Sequence, residues 1–108
     1  MQKDEIHYHI LKAIEDNPNM SQRELAKHLG VSVGKVNYCL KALIERGLIK
    51  AGHFKSNPNK REYAYLLTPK GISEKAVVTM RFLERKMDEY ERIRKEISRL
   101  RIEVHQLE

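Results

Sequence analysis

The chain has no tryptophan, only two phenylalanines and a single cysteine. With so few large aromatics and 33% charged residues, a large core is excluded, and the 41% apolar residues of a 108-residue chain suffice for one small domain with one appendage. One cysteine cannot close a disulfide within the chain or form a CxxC metal or redox pair. No apolar run approaches the roughly 18 residues of a membrane span. The opening "MQKDEIHYHI" also lacks the apolar stretch of a secretory signal, so the cytoplasm is the expected location and no membrane partner is expected.

Acidic residues are scarce in one segment. Between positions 27 and 61, Lys27, Lys35, Lys41, Arg46, Lys50, Lys55, Lys60 and Arg61 face Glu45 alone, eight charges minus one, or +7 in a chain of formal charge +6. A basic patch confined to one segment is the footprint of a polyanion, most commonly nucleic acid, although a solvated basic surface or an acidic protein partner would carry the same charge.

Apolar spacing then sets the elements. In 3–16, Ile6, Ile10, Ala13 and Ile14 recur as on an amphipathic helix, which Pro18 ends. In 21–30, Ser21 and Glu24 have capping-box spacing, Leu25, Ala26 and Leu29 point inward, and Gly30 stops the helix. A third helix opens on Ser32 and closes at Gly47, with Val33, Val36, Leu40 and Leu43 on one arc and Gly34, Tyr38 and Lys41 on the other. The connection "GVS" is short enough to make a helix-turn-helix. Beyond it, "LIKAGHF" and "REYAYLL" predict two short strands around the basic turn "KSNPNK", a wing. Thr68 and Pro69 then open a helix running nearly to the end. The fold class expected is mainly α with a small β-hairpin (α+β): a winged helix-turn-helix over 1–68 and one long C-terminal coiled-coil helix over 69–108.

The stretch "SQRELAKHLGVSVGKVNYCLKALIERGLIK" followed by "LLTPKG" resembles the winged-helix core of MarR-family transcription regulators, over roughly residues 3 to 75. More narrowly, "NPNMSQRELAKHLGVSVGKVNYCLKALIERGLIKAGHF" and "YAYLLTPKG" are similar to the small MarR-type regulators associated with exopolysaccharide gene clusters. The resemblance implies a homodimeric regulator of double-stranded DNA whose third helix reads the groove. Typical members are longer, with extra terminal helices that interlock and frame an effector pocket. Only one C-terminal helix stands here, so no drug-type or phenolic effector is expected. The wing reads "SNPNKR" where an Asp-Arg pattern is common in the family.

Chemistry assigns roles on this frame. Gly34 gives up helix propensity but lets the helix start approach a surface closely. Lys35 and Lys41 can neutralise phosphates, Asn37 can pair with adenine, and Tyr38 offers a hydroxyl and a ring. Asn37 and Tyr38 have an alternative, packing against the wing or the first helix. Ser21, Gln22 and Arg23, with Ser32, stand at helix starts that present free N–H groups to phosphate. Lys55, Asn57, Lys60 and Arg61 are the wing contacts. Cys39 is expected at the half-buried edge of the core, with a redox-sensing role as the alternative. The five histidines are scattered, so no metal or cofactor is expected, and no nucleophile and base pair or phosphate loop suggests an enzyme.

In the last third, Ala76, Met80, Leu83, Met87, Tyr90, Ile93, Ile97, Leu100, Val104 and Leu107 step by three and four, a coiled-coil seam with one stammer between Tyr90 and Ile93. Such a stripe needs a partner, and self-association is the simplest. Ile72, Val77 and Phe82 are the residues expected to fold back onto the chain's own domain. Flanking charges fit either orientation: Glu84 with Arg101 and Glu91 with Arg94 in an antiparallel pair, Lys86 with Glu91 and Glu96 with Arg101 in a parallel one. Intrahelical pairs of Asp88 with Arg92 and Glu91 with Lys95 would use some of the same charges.

Overall fold

A computed structural model describes residues 3–52 and 64–108. Helix α1 (Lys3–Asp16) buries Ile6, Ile10, Leu11, Ala13 and Ile14 along one face. Asn17 donates its N–H to the Ala13 carbonyl at 2.9 Å before Pro18 turns the chain. The Pro18 carbonyl in turn accepts from Ala64 N at 2.8 Å, which ties this corner to the returning strand and buries Ala64.

Helices α2 (Gln22–Leu29) and α3 (Val33–Glu45) form the helix-turn-helix. The Ser21 hydroxyl accepts from Glu24 N at 3.1 Å and donates to the Glu24 carboxylate at 3.1 Å, so the capping pair closes hydroxyl to carboxylate. Ser32 caps α3 through Lys35 N at 3.1 Å. Gly30 and Gly47 take φ of 70° and 73°, the left-handed region open to glycine at low cost. After α3 the Leu48 and Gly47 N–H groups bond the Leu43 and Ile44 carbonyls, both at 2.9 Å, the paired closure of a Schellman motif.

The core gathers Leu25, Val36, Leu40, Leu43, Leu48 and Ile49 around the α1 face. Full burial of each such aliphatic side chain stabilises by about 1.5–3 kcal/mol. Two assignments change. Val33 stands 45% exposed, while Cys39 is only 3% exposed. The buried arc is therefore Val36, Cys39, Leu40 and Leu43, centred further toward Cys39, with α2 and the strand after α3, Ile49–Ala51, as the elements packed most against α3.

Strands β1 (Ile49–Ala51) and β2 (Tyr65–Leu67) pair antiparallel, Ile49 opposite Leu67 and Ala51 opposite Tyr65. Each covers three residues of a run expected to be a short strand, and 53–54 and 61–63 of those runs lie outside the described residues. The turn "KSNPNK", with Lys55, Asn57, Lys60 and the adjoining Arg61, lies outside the described residues.

Helix α4 (Pro69–Gln106) starts on Thr68, which accepts from Gly71 N at 3.0 Å and donates to the Gly47 carbonyl at 2.6 Å. Lys70 adds a bond to the Arg46 carbonyl at 3.0 Å, and Arg46 pairs with Glu74 at 3.2 Å. The end of α3 is thus pinned to the start of α4. From there α4 runs antiparallel along α1: Lys75 pairs with Glu15 at 3.0 Å, Phe82 stacks on Tyr8 with centroids 5.0 Å apart, and Arg85 pairs with Asp4 at 2.7 Å. The docking stripe is Gly71, Lys75, Val78, Phe82 and Arg85. Phe82 folds back as expected, but Ile72 and Val77 are 56% and 42% exposed. The three- and four-residue steps from Gly71 lead to Val78 and leave both of them on other faces. Beyond Lys86 every residue of α4 is exposed, and the molecule measures 71 × 25 × 22 Å, its long axis set by this helix. Among the described residues, no helix is long and apolar enough to cross a membrane.

Candidate nucleic-acid interface

Burial of one α3 face against α1 and α2 decides what the other presents. Gly34, Lys35, Tyr38 and Lys41 are all exposed, and Tyr38 reaches 73%. An aromatic ring so free on an otherwise packed helix contributes little to the core, so it is available to an external surface. Added to Gly34, a Cβ would meet nothing closer than the Ser32 hydroxyl at 4.0 Å. The fold therefore places no demand for glycine there.

Asn37 sits differently. It is half-buried, and its amide donates to the Gln22 side-chain carbonyl at 3.2 Å, while the Gln22 amide donates to the Tyr65 hydroxyl at 3.0 Å. This relay crosses from α3 through the start of α2 to the wing strand β2. Asn37 thus bonds to the start of α2, an element other than the wing or first helix of the packing alternative; this uses one of its amide hydrogens and leaves the other hydrogen and the carbonyl for other partners. Gln22 has both ends of its amide engaged, which makes it a brace as well as a helix-start residue. Sequence reasoning does not single out Tyr65. Its alternation in "REYAYLL" marks it as a strand residue, and nothing local signals a partner 43 positions away.

Around this relay, Arg23, Lys27, Lys35, Lys41 and Lys50 are exposed, Ser21 is half-buried at the α2 start and Ser32 is exposed at the α3 start. Ser21, Gln22 and Arg23 lie at the start of α2, and Ser32, Gly34, Lys35, Asn37, Tyr38 and Lys41 cap or lie on α3, the two groups being joined by the Asn37–Gln22 bond. Lys35 and Lys41 make no ion pair among the described residues, so their charges project into solvent.

Two buried titratable groups lie behind the face. Burial lowers the His7 pKa, with the nearby charges of Lys3 and Arg46 acting in the same sense. Burial raises the Cys39 pKa against the smaller opposing influence of Lys35. The Cys39 thiol is enclosed and its charged form disfavoured by burial, whereas reactive thiols are exposed. Among the described residues no three His, Cys, Asp or Glu side chains come together as a metal site.

Residues 3–50 match the family model described as winged helix-turn-helix DNA-binding. No curated protein matches the chain in sequence. Among solved structures, the transcriptional regulator BldR from Sulfolobus solfataricus is similar over 88% of this chain and 73% of its own, at 23% identity and a TM-score of 0.61. The PcaV transcriptional regulator from Streptomyces coelicolor aligns over 73% of this chain at 20% identity and a TM-score of 0.60, and the chain spans only 57% of its length. MepR of S. aureus, in a structure of its DNA complex, aligns over 82% of this chain at 21% identity and a TM-score of 0.59, with 61% of its own length covered. At these identities the likeness establishes a shared winged-helix fold.

Proposed function

We propose that this chain is a sequence-specific, double-stranded DNA-binding transcriptional regulator of MarR type that acts as a homodimer. The observation that carries the reading is the exposed face of α3, where Tyr38 and Gly34 stand free between Lys35 and Lys41 on a helix whose other side is core. The match of residues 3–50 to a winged helix-turn-helix DNA-binding model supports it. In this reading residues 1–68 are the DNA-binding unit and 69–108 the dimerisation helix, whose first turns also brace α1. Tyr38 and Asn37 meet base edges, Lys35 and Lys41 meet phosphates, and Ser21, Gln22, Arg23 and Ser32 position the helix starts on the backbone. Lys55, Asn57, Lys60 and Arg61 reach along the duplex from the wing.

The finer assignment, control of exopolysaccharide genes, rests on the resemblance of "NPNMSQRELAKHLGVSVGKVNYCLKALIERGLIKAGHF" and "YAYLLTPKG" to that subgroup. Footprinting across the protein's own gene neighbourhood tests it.

Binding to duplexes carrying such a footprint, compared with random duplexes, tests the wider reading. Tyr38→Ala should cost about 1–3 kcal/mol on the specific duplex and much less on random DNA. Lys60→Ala or Arg61→Ala should weaken both alike and lower the salt slope by roughly 1 for each phosphate left unneutralised. Equal loss from Tyr38→Ala on both duplexes would remove it from base reading. Absence of salt-dependent duplex binding would favour an acidic protein as the partner instead.

A further inference from the structure

Residues 87–108 of α4 are exposed throughout, yet they continue an apolar stripe that begins at Ala76. Helix α1 lies along the face of Lys75, Phe82 and Arg85, and the stripe from Ala76 to Leu107 is exposed at every position. A long helix with an unburied stripe of this kind is stable as part of a coiled coil and marginal alone.

The spacing of the stripe is symmetric about one residue. Positions 87 and 93 lie three residues to either side of Tyr90, 83 and 97 lie seven, 80 and 100 ten, and 76 and 104 fourteen. All of these positions are apolar. The break in the heptad rhythm, two successive steps of three, is centred on Tyr90 itself. We propose that α4 pairs with α4 of a second copy in antiparallel orientation, with the two-fold axis at Tyr90. This rests on the homodimer reading above and gives it a register and a direction.

In that register every apolar position of the stripe from Ala76 to Val104 meets an apolar position: Met87 meets Ile93 of the partner subunit, and Leu83 meets Ile97 of the partner subunit, while Leu107 alone falls opposite a polar residue, Ser73 of the partner subunit. The rhythm breaks of the two helices coincide at the axis. Any other antiparallel register sets the break of one helix against an unbroken heptad of the other, where knobs and holes fall out of step. A parallel in-register pair also aligns the breaks, so charge decides between the two.

Single pairs of opposite charge occur in either orientation, but the blocks do not. Of the basic residues in 92–101, only Arg94 has an ion-pair partner among the described residues, Glu91 at 3.1 Å. Upstream, Glu84 and Asp88 have none among the described residues, whereas Arg85 and Lys86 are drawn onto α1 by Asp4 at 2.7 Å and Glu5 at 3.8 Å. The helix thus presents an acidic stretch followed by a basic one. Parallel pairing lays the basic stretch, with only Glu96 to relieve it, beside its own copy. Antiparallel pairing about Tyr90 lays it beside 79–88, where Glu84 and Asp88 outnumber Arg81 once Arg85 and Lys86 are paired with acidic groups of their own chain, and sets Glu84 next to Arg94 of the partner subunit. Intrahelical pairing does not remove this pattern, because neither Asp88 with Arg92 nor Glu91 with Lys95 forms in the structure.

The test is a distance. With Cys39→Ala as background and Ser73→Cys carrying a spin label at an exposed site, a rise of about 1.5 Å per residue puts the two labels about 50 Å apart in the antiparallel dimer. Parallel pairing puts them within about 10 Å, the spacing of packed helices. Pulsed electron resonance on the full chain reads this directly. A distance near the shorter value overturns the orientation and leaves the homodimer standing, whereas a monomer by sedimentation at micromolar concentration overturns the homodimer and the orientation together. Crosslinking supplies a second readout in the same background. Under mild oxidation, Leu83→Cys alone should form no interchain disulfide and Leu83→Cys with Ile97→Cys should form one; closure by Leu83→Cys alone overturns the proposal.

Discussion

Gly34 and Gly71 both lie in the first turn of a helix, and replacing each by alanine should have opposite effects on stability. Local propensity favours alanine at both by up to about 1 kcal/mol. At Gly34 nothing opposes this, because a Cβ meets only the Ser32 hydroxyl at 4.0 Å. Gly34→Ala should therefore raise stability by about 0.5–1 kcal/mol. At Gly71 the new Cβ would collide with the backbone carbonyl of Leu48 and sit 3.2 Å from Leu67 Cδ2. That carbonyl already accepts from Thr68 N at 3.1 Å, so it cannot turn aside without losing a bond at the α3–α4 junction. Overpacking against backbone costs about 1–3 kcal/mol, with the immovable neighbour placing this case at the upper end. The net loss should be about 2 kcal/mol once propensity is credited. Urea denaturation of the two variants with unchanged m-values gives both numbers. The same Gly34→Ala protein should bind the specific duplex more weakly while being more stable, since in the proposed reading the methyl group would stand where the helix approaches the groove. A stable Gly34→Ala protein with full affinity would refute the close-approach role, and a Gly71→Ala protein at least as stable as the parent would refute the packing argument.

Tyr65→Phe removes the hydroxyl that accepts from Gln22 and should cost about 0.5–1.5 kcal/mol of stability. It should also loosen base choice near Asn37, read as a smaller ratio of specific to random binding; an unchanged ratio would separate the relay from recognition. Thr68→Ala removes the α4 cap and its bond to Gly47, and should lower stability by about 1–2 kcal/mol in thermal or urea melts. His7 has its pKa lowered in the folded state by burial, so protonation favours the unfolded chain. The stability it lends is present above its unfolded value of about 6.5 and fades as pH falls below that. A melt series from pH 8 to 5 should show a decline that is smaller in His7→Leu, and equal slopes would discard the assignment.

The sequence by itself determined what short-range chemistry controls. Ser21, Ser32 and Thr68 cap where their spacing to Glu24, Lys35 and Gly71 places a cap, Gly47 closes α3 with positive φ, and apolar periodicity places α1, α2 and α3. These are decided within a turn or two of the chain, where hydrogen-bonding reach and helical phase leave few options. Tertiary structure alone decided which side of a broad apolar arc is core. Val33 lost that place and Cys39 gained it, because the direction from which other elements pack on α3 is one that periodicity cannot reveal. The same holds for α4, where Val78 docks while Ile72 and Val77 stand out, since α1 chooses one of several semi-apolar faces. The link from Asn37 through Gln22 to Tyr65 spans three elements, and its geometry exists only once they have packed. Local rules act through bonds and neighbours along the chain, whereas burial and long-range hydrogen bonds depend on where distant segments come to rest.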